Sequence, residues 1–309
     1  MKNQQSTTLA WGGVLLASML WGIGALVAQS ALSDGIAPYS LSLARFGLGL
    51  PLLWWWHWRQ TRQIRQTGQA SSAGQWRQLH GRDQALIVGT GLIMAVNVTC
   101  WFAAITHIGA ALPTVISVCC APVIVALISV LRGYERVNGR LLSALALALG
   151  GVGLIVAPTE GLALPADYAA GLMWSFVSAG LYSLVVLGNA RMPVQVPAIS
   201  ASAWSMGVAT LLMLVLATAQ GITWPHSTRT WLQVGYTGVI TTSIAYLAFA
   251  WGARRLSPTA TVIGTLIEPL VTAVAVAWWF GQALTGRQWA GAALLGAAML
   301  LLARRSEKA

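Results

Sequence analysis

Two ionisable residues, Arg45 and Glu268, stand inside long apolar runs. A charge in hydrocarbon is costly unless it is paired, neutralised or facing water, so intramembrane ionisable groups mark substrate or ion pathways by default. Glu268 lies about ten residues into its run, or roughly 15 Å at ~1.5 Å per residue, near the middle of a bilayer. Two roles are open to it: a coupling or substrate-orienting carboxylate, or a structural acid that pairs with Arg45 or bonds between helices. Arg45 lies about seven residues from the end of its own run. It could snorkel to the interface, face a substrate carboxylate, or pair with Glu268.

Around these charges the apolar runs carry a set of mid-span polar and aromatic residues: Trp21, Asn97, Trp101, Ser178, Tyr182, Thr242, Ser243 and Tyr246. Asn97 and Trp101, Ser178 and Tyr182, and Thr242 and Tyr246 are each four apart, which places each pair on one face of an α-helix. An apolar cavity with a few convergent polar groups suits a small amphiphilic solute. The alternative for each small polar residue taken singly is a tie between helices, as is common in membranes. Pro122 and Pro269 interrupt two of the runs. A proline inside a helix removes a hydrogen bond and kinks it, so the pair reads as hinges or as fixed bends.

Signals for catalysis and metal binding are scarce. His57, His80, His107 and His226 are scattered near run ends without ligand spacing, and no phosphate-cradling glycine loop with its lysine occurs. Cys100, Cys119 and Cys120 fall inside apolar runs without metal or disulfide spacing and read as small packing residues. No cofactor is expected. A net charge of +11 would suggest nucleic acid in a soluble chain; here membrane topology and attraction to anionic lipid account for it better.

The elements that must position these residues are membrane spans. Hydrophobic residues make up 57% of the chain and charged residues 8%, against about 25% charged in soluble domains. The apolar runs predict ten helices, at about 11–31, 39–58, 84–106, 111–131, 141–157, 168–188, 198–219, 231–253, 259–280 and 288–303. The first run is longer than a signal-peptide core and is read as a retained span. With the N-terminus inside, fifteen of the 18 basic residues fall in inner loops and tails, so both termini are expected to be cytoplasmic. Many of the 16 tryptophans, including Trp54, Trp55, Trp56, Trp58, Trp224, Trp278 and Trp279, fall at run ends. There tryptophan anchors helices at the interface and says little about substrate. Residues 90–140 recur at 237–287: without a gap, 12 of 51 positions are identical, among them Pro122 with Pro269 and Gly139-Arg140 with Gly286-Arg287. Two units of five helices follow, 1–158 and 159–309. An odd helix number inverts the second unit, which is the arrangement of secondary transporters that bind substrate near the midplane. The fifth and tenth helices carry small residues four apart, Ala146 with Gly150 and Ala292 with Gly296, and are expected to pack the repeats together.

Several short motifs in order carry a family resemblance: Leu20-Trp21-Gly22, Ala44-Arg45-Phe46, Ala103-Ala104 leading to Gly109-Ala110, Ala179 with Tyr182, Ala245-Tyr246, and Glu268-Pro269-Leu270. The chain resembles the EamA-type ten-helix exporters of the drug/metabolite transporter superfamily over essentially its whole length, and within them the aromatic amino-acid exporters of the YddG type. Gln282 departs from the glutamate that many members carry after the ninth helix, whereas Glu135 keeps it in the first copy. The resemblance implies export of small metabolites, often amino acids, across a bacterial inner membrane, and no enzymatic activity. Because the Arg45 motif is shared by exporters of dissimilar substrates, it favours a structural or gating role for that residue. A nucleotide-sugar or drug carrier, and a membrane enzyme acting on a lipid-linked substrate, are the alternatives. One chain supplies both halves, so a monomer is expected.

Overall fold

The computed structural model describes residues 2–66, 76–132, 139–156, 167–192, 196–253, 255, 264–265 and 267–303. Glu135 and the expected start of the ninth span at residues 259–263 lie outside the described residues. Among the described residues the chain folds into ten helical rods. These are α1 (Lys2–Ser33), α2 (Pro38–Gln66), α3 (Gly81–Ile108), α4 (Ala111–Leu131), α5 (Gly139–Val156), α6 (Tyr168–Ala190) and α7 (Ala198–Gln220). The eighth rod, α8, joins Thr228–Gly235, a π-helix Tyr236–Ile244 and Ala245–Ala253. The last two are α9 (Ile267–Phe280) and α10 (Gly286–Ala303). Five of the rods are long and apolar enough to cross a bilayer, over Thr8–Ser33, Gly81–Ile108, Tyr168–Asn189, Ala198–Gln220 and Thr228–Phe249; three further apolar helices are shorter.

Hydrocarbon gives apolar side chains little reason to cluster, so membrane helices associate through close packing and interhelical hydrogen bonds. Glycine supplies the close packing. A Cβ at Gly91 on α3 would meet the Ser205 carbonyl oxygen of α7, and one at Gly238 on α8 would lie 3.0 Å from the Ala44 carbonyl oxygen of α2. These two glycines occupy equivalent positions in the sequence repeat. Further close approaches join Gly22 on α1 to the Glu268 backbone of α9, and Gly49 on α2 to Thr242 of α8. In the packing pattern α3 lies on α6 and α7, α8 on α1 and α2, α4 on α6, and α9 on α1; α2 meets α7 and α4 meets α9.

Helices α5 and α10 do pack together, but in a different register from the expected one. The contact runs through Gly151 and Gly291, each facing the other's carbonyl oxygen, with Ala148, Ile155 and Leu295 around them. Ala146 and Gly150 are exposed, and a Cβ at Gly296 would meet open space. Alanine-rich helices offer several small-residue registers, and the exposed Leu142 and Leu149 show that the Ala146 face points outward.

Polar ties gather the connections at one end of the bundle. Gln29 donates to the Gln282 Oε1 at 2.7 Å and accepts from the Ala110 N–H at 2.7 Å, binding α1, the α3–α4 corner and the α9–α10 loop. Beside it the Arg229 Nη2 and the Thr230 hydroxyl donate to Ser30 and Asp34, and His107 Nδ1 lies 3.7 Å from Asp167. Beneath these ties an apolar cluster that includes Ala28, Leu32, Leu41, Phe102, Ala273 and Val276 closes that end.

Candidate functional site

The mid-span residues divide into two groups. Asn97, Ser178, Thr242 and Ser243 are buried, and their side-chain oxygens are bonded within the bundle. Ser178 donates to Asn97 Oδ1 at 2.9 Å and accepts from Ser117 at 3.2 Å, so that α3, α4 and α6 are tied together. Thr242 donates to the Thr237 carbonyl at 3.0 Å, and Ser243 to the Gly49 carbonyl of α2 at 2.7 Å. The four aromatic residues behave differently. Trp21, Trp101 and Tyr246 keep partial exposure, and Tyr182, deep within the bundle, is 38% exposed.

Removing the Ser178 hydroxyl tests the division. Ser178→Ala is expected to lower stability by about 0.6–1.7 kcal/mol, the range for a hydrogen bond between membrane helices, and to leave the KM for substrate unchanged. An unfolding titration with a transport assay checks both, and a raised KM would put Ser178 in the substrate path.

Thr242 and Tyr246 lie on either side of the end of a π-helix. With i→i+5 bonding the turn is wider than 3.6 residues, so the four-residue rule that put Thr242 beside Tyr246 does not hold across 236–244. Thr242 packs on Gly49 of α2, whereas the Tyr246 ring meets Trp21 of α1 edge-on at 6.1 Å. The local signal was the Thr237/Thr241/Thr242 trio: the hydroxyls of Thr241 and Thr242 both return to the Thr237 carbonyl. Trp21 Nε1 donates to the Thr241 carbonyl at 2.7 Å. The indole therefore holds the irregular turn while its ring faces Tyr246 and Phe249.

Arg45 of α2 lies beside two aromatic rings of α3, its guanidinium carbon 5.8 Å from the centre of Trp101 and 5.9 Å from that of Phe102. Cation–π contact at this range offsets part of the cost of placing the charge there. Arg45 lies within electrostatic reach of Glu268 and Tyr246, and Glu268 of Tyr182. Yet no nitrogen–oxygen distance between Arg45 and Glu268 is within 4.0 Å. Among the described residues neither side chain has a hydrogen-bond partner, and neither is among the sealed, unsatisfied buried groups. The two charges thus stand apart without being sealed from solvent, with Trp101 beside Arg45, and with Tyr246 and Tyr182 within electrostatic reach of Arg45 and Glu268 respectively.

Pro269 is buried close to Glu268 near the start of α9, and Pro122 lies within α4. A further intrahelical proline, Pro51 of α2, lies outside the duplicated stretch. The three cysteines are buried and free, and no metal-holding group of His, Cys, Asp or Glu occurs among the described residues.

Comparison with known proteins decides the family. The model of the EamA-like transporter family matches residues 9–157 and again 169–304. The chain belongs to the EamA-like transporter family. It is similar to an uncharacterized transporter, YwfM, of Bacillus subtilis (strain 168), at 26% identity over 96% of this chain and 94% of that protein. An uncharacterized transporter of Archaeoglobus fulgidus is 29% identical over 72% of this chain and 77% of its own length. A solved crystal structure aligns over 99% of both chains with a TM-score of 0.58 at 18% identity, a likeness of fold. This EamA-like chain is therefore a multi-pass membrane transporter of the drug/metabolite transporter superfamily.

Proposed function

We propose that this transporter exports small zwitterionic metabolites, amino acids with aromatic or other hydrophobic side chains, across the bacterial inner membrane by alternating access. The observation that carries the reading is the separated pair Arg45 and Glu268. A zwitterion presents a carboxylate to the guanidinium and an ammonium to the carboxylate, filling the gap that the two protein groups leave between them. Trp101, Tyr182 and Tyr246 supply surface for an apolar side chain. Substrate binding falls to these residues with Arg45 and Glu268. Trp21 supports the irregular turn, and Asn97, Ser178, Thr242 and Ser243 tie the walls. Nothing in the residues present calls for a cofactor.

Alternating access in this reading comes from two inverted units, 1–158 and 159–309, with both termini cytoplasmic and one chain sufficient. The packing pattern supports it: α3 on α6 is matched by α8 on α1, α4 on α6 by α9 on α1, and α3 on α7 by α8 on α2. The family match falling twice, once in each half, supports the same division. Pro122 and Pro269 are the proposed hinges, and the Gln29–Gln282–Ala110 tie is part of the closed outer side.

Uptake into sealed proteoliposomes by counterflow tests the reading, with aromatic and aliphatic amino acids beside a nucleotide sugar and a cationic drug. Saturable uptake of amino acids is the expected result. Uptake confined to the nucleotide sugar or the drug would move the substrate to those classes.

A further inference from the structure

A cleft of about 470 Å³ lies away from Arg45 and Glu268, at the opposite end of the bundle from the Gln29 tie. It is formed where the start of α3 meets the ends of α4 and α6, and Gly89, Thr90, Leu131, Arg132, Leu184 and Arg191 are among its lining residues. On α6 it uses Leu184, Leu187, Gly188 and Arg191, whereas Tyr182 belongs to the proposed substrate site. Two residues along a helix turn the side chain by about 200°, so the cleft lies on the face of α6 opposite the proposed substrate path. Leu131 is 77% and Leu184 41% exposed, so the walls open to the surroundings of the bundle, which in a membrane are lipid.

We infer that this cleft is a binding site for an anionic phospholipid, with the phosphate between Arg132 and Arg191 and one acyl chain along the apolar walls. The two arginines cap the ends of α4 and α6. Neither guanidinium has a hydrogen-bond or ion-pair partner among the described residues. From Arg191 to Leu184 the groove runs roughly 10 Å along the helix axis, from the level of a headgroup into the apolar region. Basic pockets between helices are suited to lipid headgroups, and here charge and an apolar groove are continuous. An arginine at a helix C-terminus also offsets the negative end of the helix dipole, and that service alone would need no groove. The site stands apart from the identity of the substrate and from which end faces the cytoplasm.

Gly89 separates a built site from general surface charge, because a Cβ there meets nothing within 4 Å. Gly89→Leu therefore starts from an uncrowded position and places bulk at the groove while net charge is unchanged. The experiment is native mass spectrometry of the full chain taken from vesicles of mixed phosphatidylglycerol and phosphatidylcholine, counting each lipid retained. The full chain is expected to keep one phosphatidylglycerol in preference to phosphatidylcholine. Arg132→Gln with Arg191→Gln is expected to lower that preference about 30-fold, for roughly 1 kcal/mol per basic residue, and Gly89→Leu to lower retention as well. Equal retention of the two lipids by the full chain would overturn the proposal, as would undiminished retention by Gly89→Leu, which would assign the attraction to surface charge. Circular dichroism of each variant checks that the fold is kept, and amino-acid counterflow is expected to persist in both.

Discussion

Arg45→Gln and Glu268→Gln are each expected to weaken transport by about 10- to 150-fold in KM, the loss of one charge-assisted hydrogen bond worth roughly 1.5–3 kcal/mol. Neither is expected to unfold the protein. The charges do not touch, and neither is among the sealed, unsatisfied buried groups, so removing one does not strand the other in a sealed site. A structural ion pair behaves in the opposite way. Breaking a buried pair from one side costs about 3–5 kcal/mol, and replacing both partners returns much of it. The double variant discriminates: a substrate site predicts stable single variants and a double variant that is folded and inactive. Unstable single variants rescued by the double change would make Arg45 and Glu268 structural. Unfolding titrations of all four proteins, run with initial uptake rates, provide the comparison.

Larger effects on stability are expected at the glycines of the repeat. A methyl group at Gly91 would collide with the Ser205 carbonyl oxygen, and one at Gly238 would lie 2.6 Å from Leu48 Cβ and 3.0 Å from the Ala44 carbonyl oxygen. Backbone atoms cannot step aside as a flexible side chain can, so each helix pair must separate. Gly91→Ala and Gly238→Ala are each expected to cost about 1–3 kcal/mol, the range for overpacking. Gly207→Ala on α7, in open space, is expected to be neutral or to gain up to about 1 kcal/mol through helix propensity. Unfolding in mixed micelles checks all three, and equal stability of Gly91→Ala and Gly207→Ala would contradict the packing described.

The ten rods were legible because apolar length is a strong signal and the bilayer sets the scale. Arg45 and Glu268 were legible as exceptions to that apolarity. Their relation was not: whether two charges touch or stand apart depends on where α2 and α9 are placed across the bundle, which no local pattern encodes. Thr242 and Ser243 were assigned to the lining by polarity and spacing, yet a hydroxyl in a membrane finds a carbonyl as readily as a solute. The Gly151–Gly291 contact was missed because Ala146 with Gly150 satisfies the same small-residue rule one face away. Gln29 gave no signal at all: a lone glutamine near a helix end looks like surface until Ala110 and Gln282 come beside it.

The most direct test of the substrate site is competition against labelled phenylalanine counterflow in proteoliposomes by phenylalanine, phenethylamine and 3-phenylpropionate, for the native chain, Arg45→Gln and Glu268→Gln. The proposed site predicts that only the zwitterion competes well with the native chain. Discrimination against the amine is then lost in Arg45→Gln, and discrimination against the acid in Glu268→Gln. Equal competition by all three compounds with the native chain would mean that the two charges do not read the substrate, and would contradict the account.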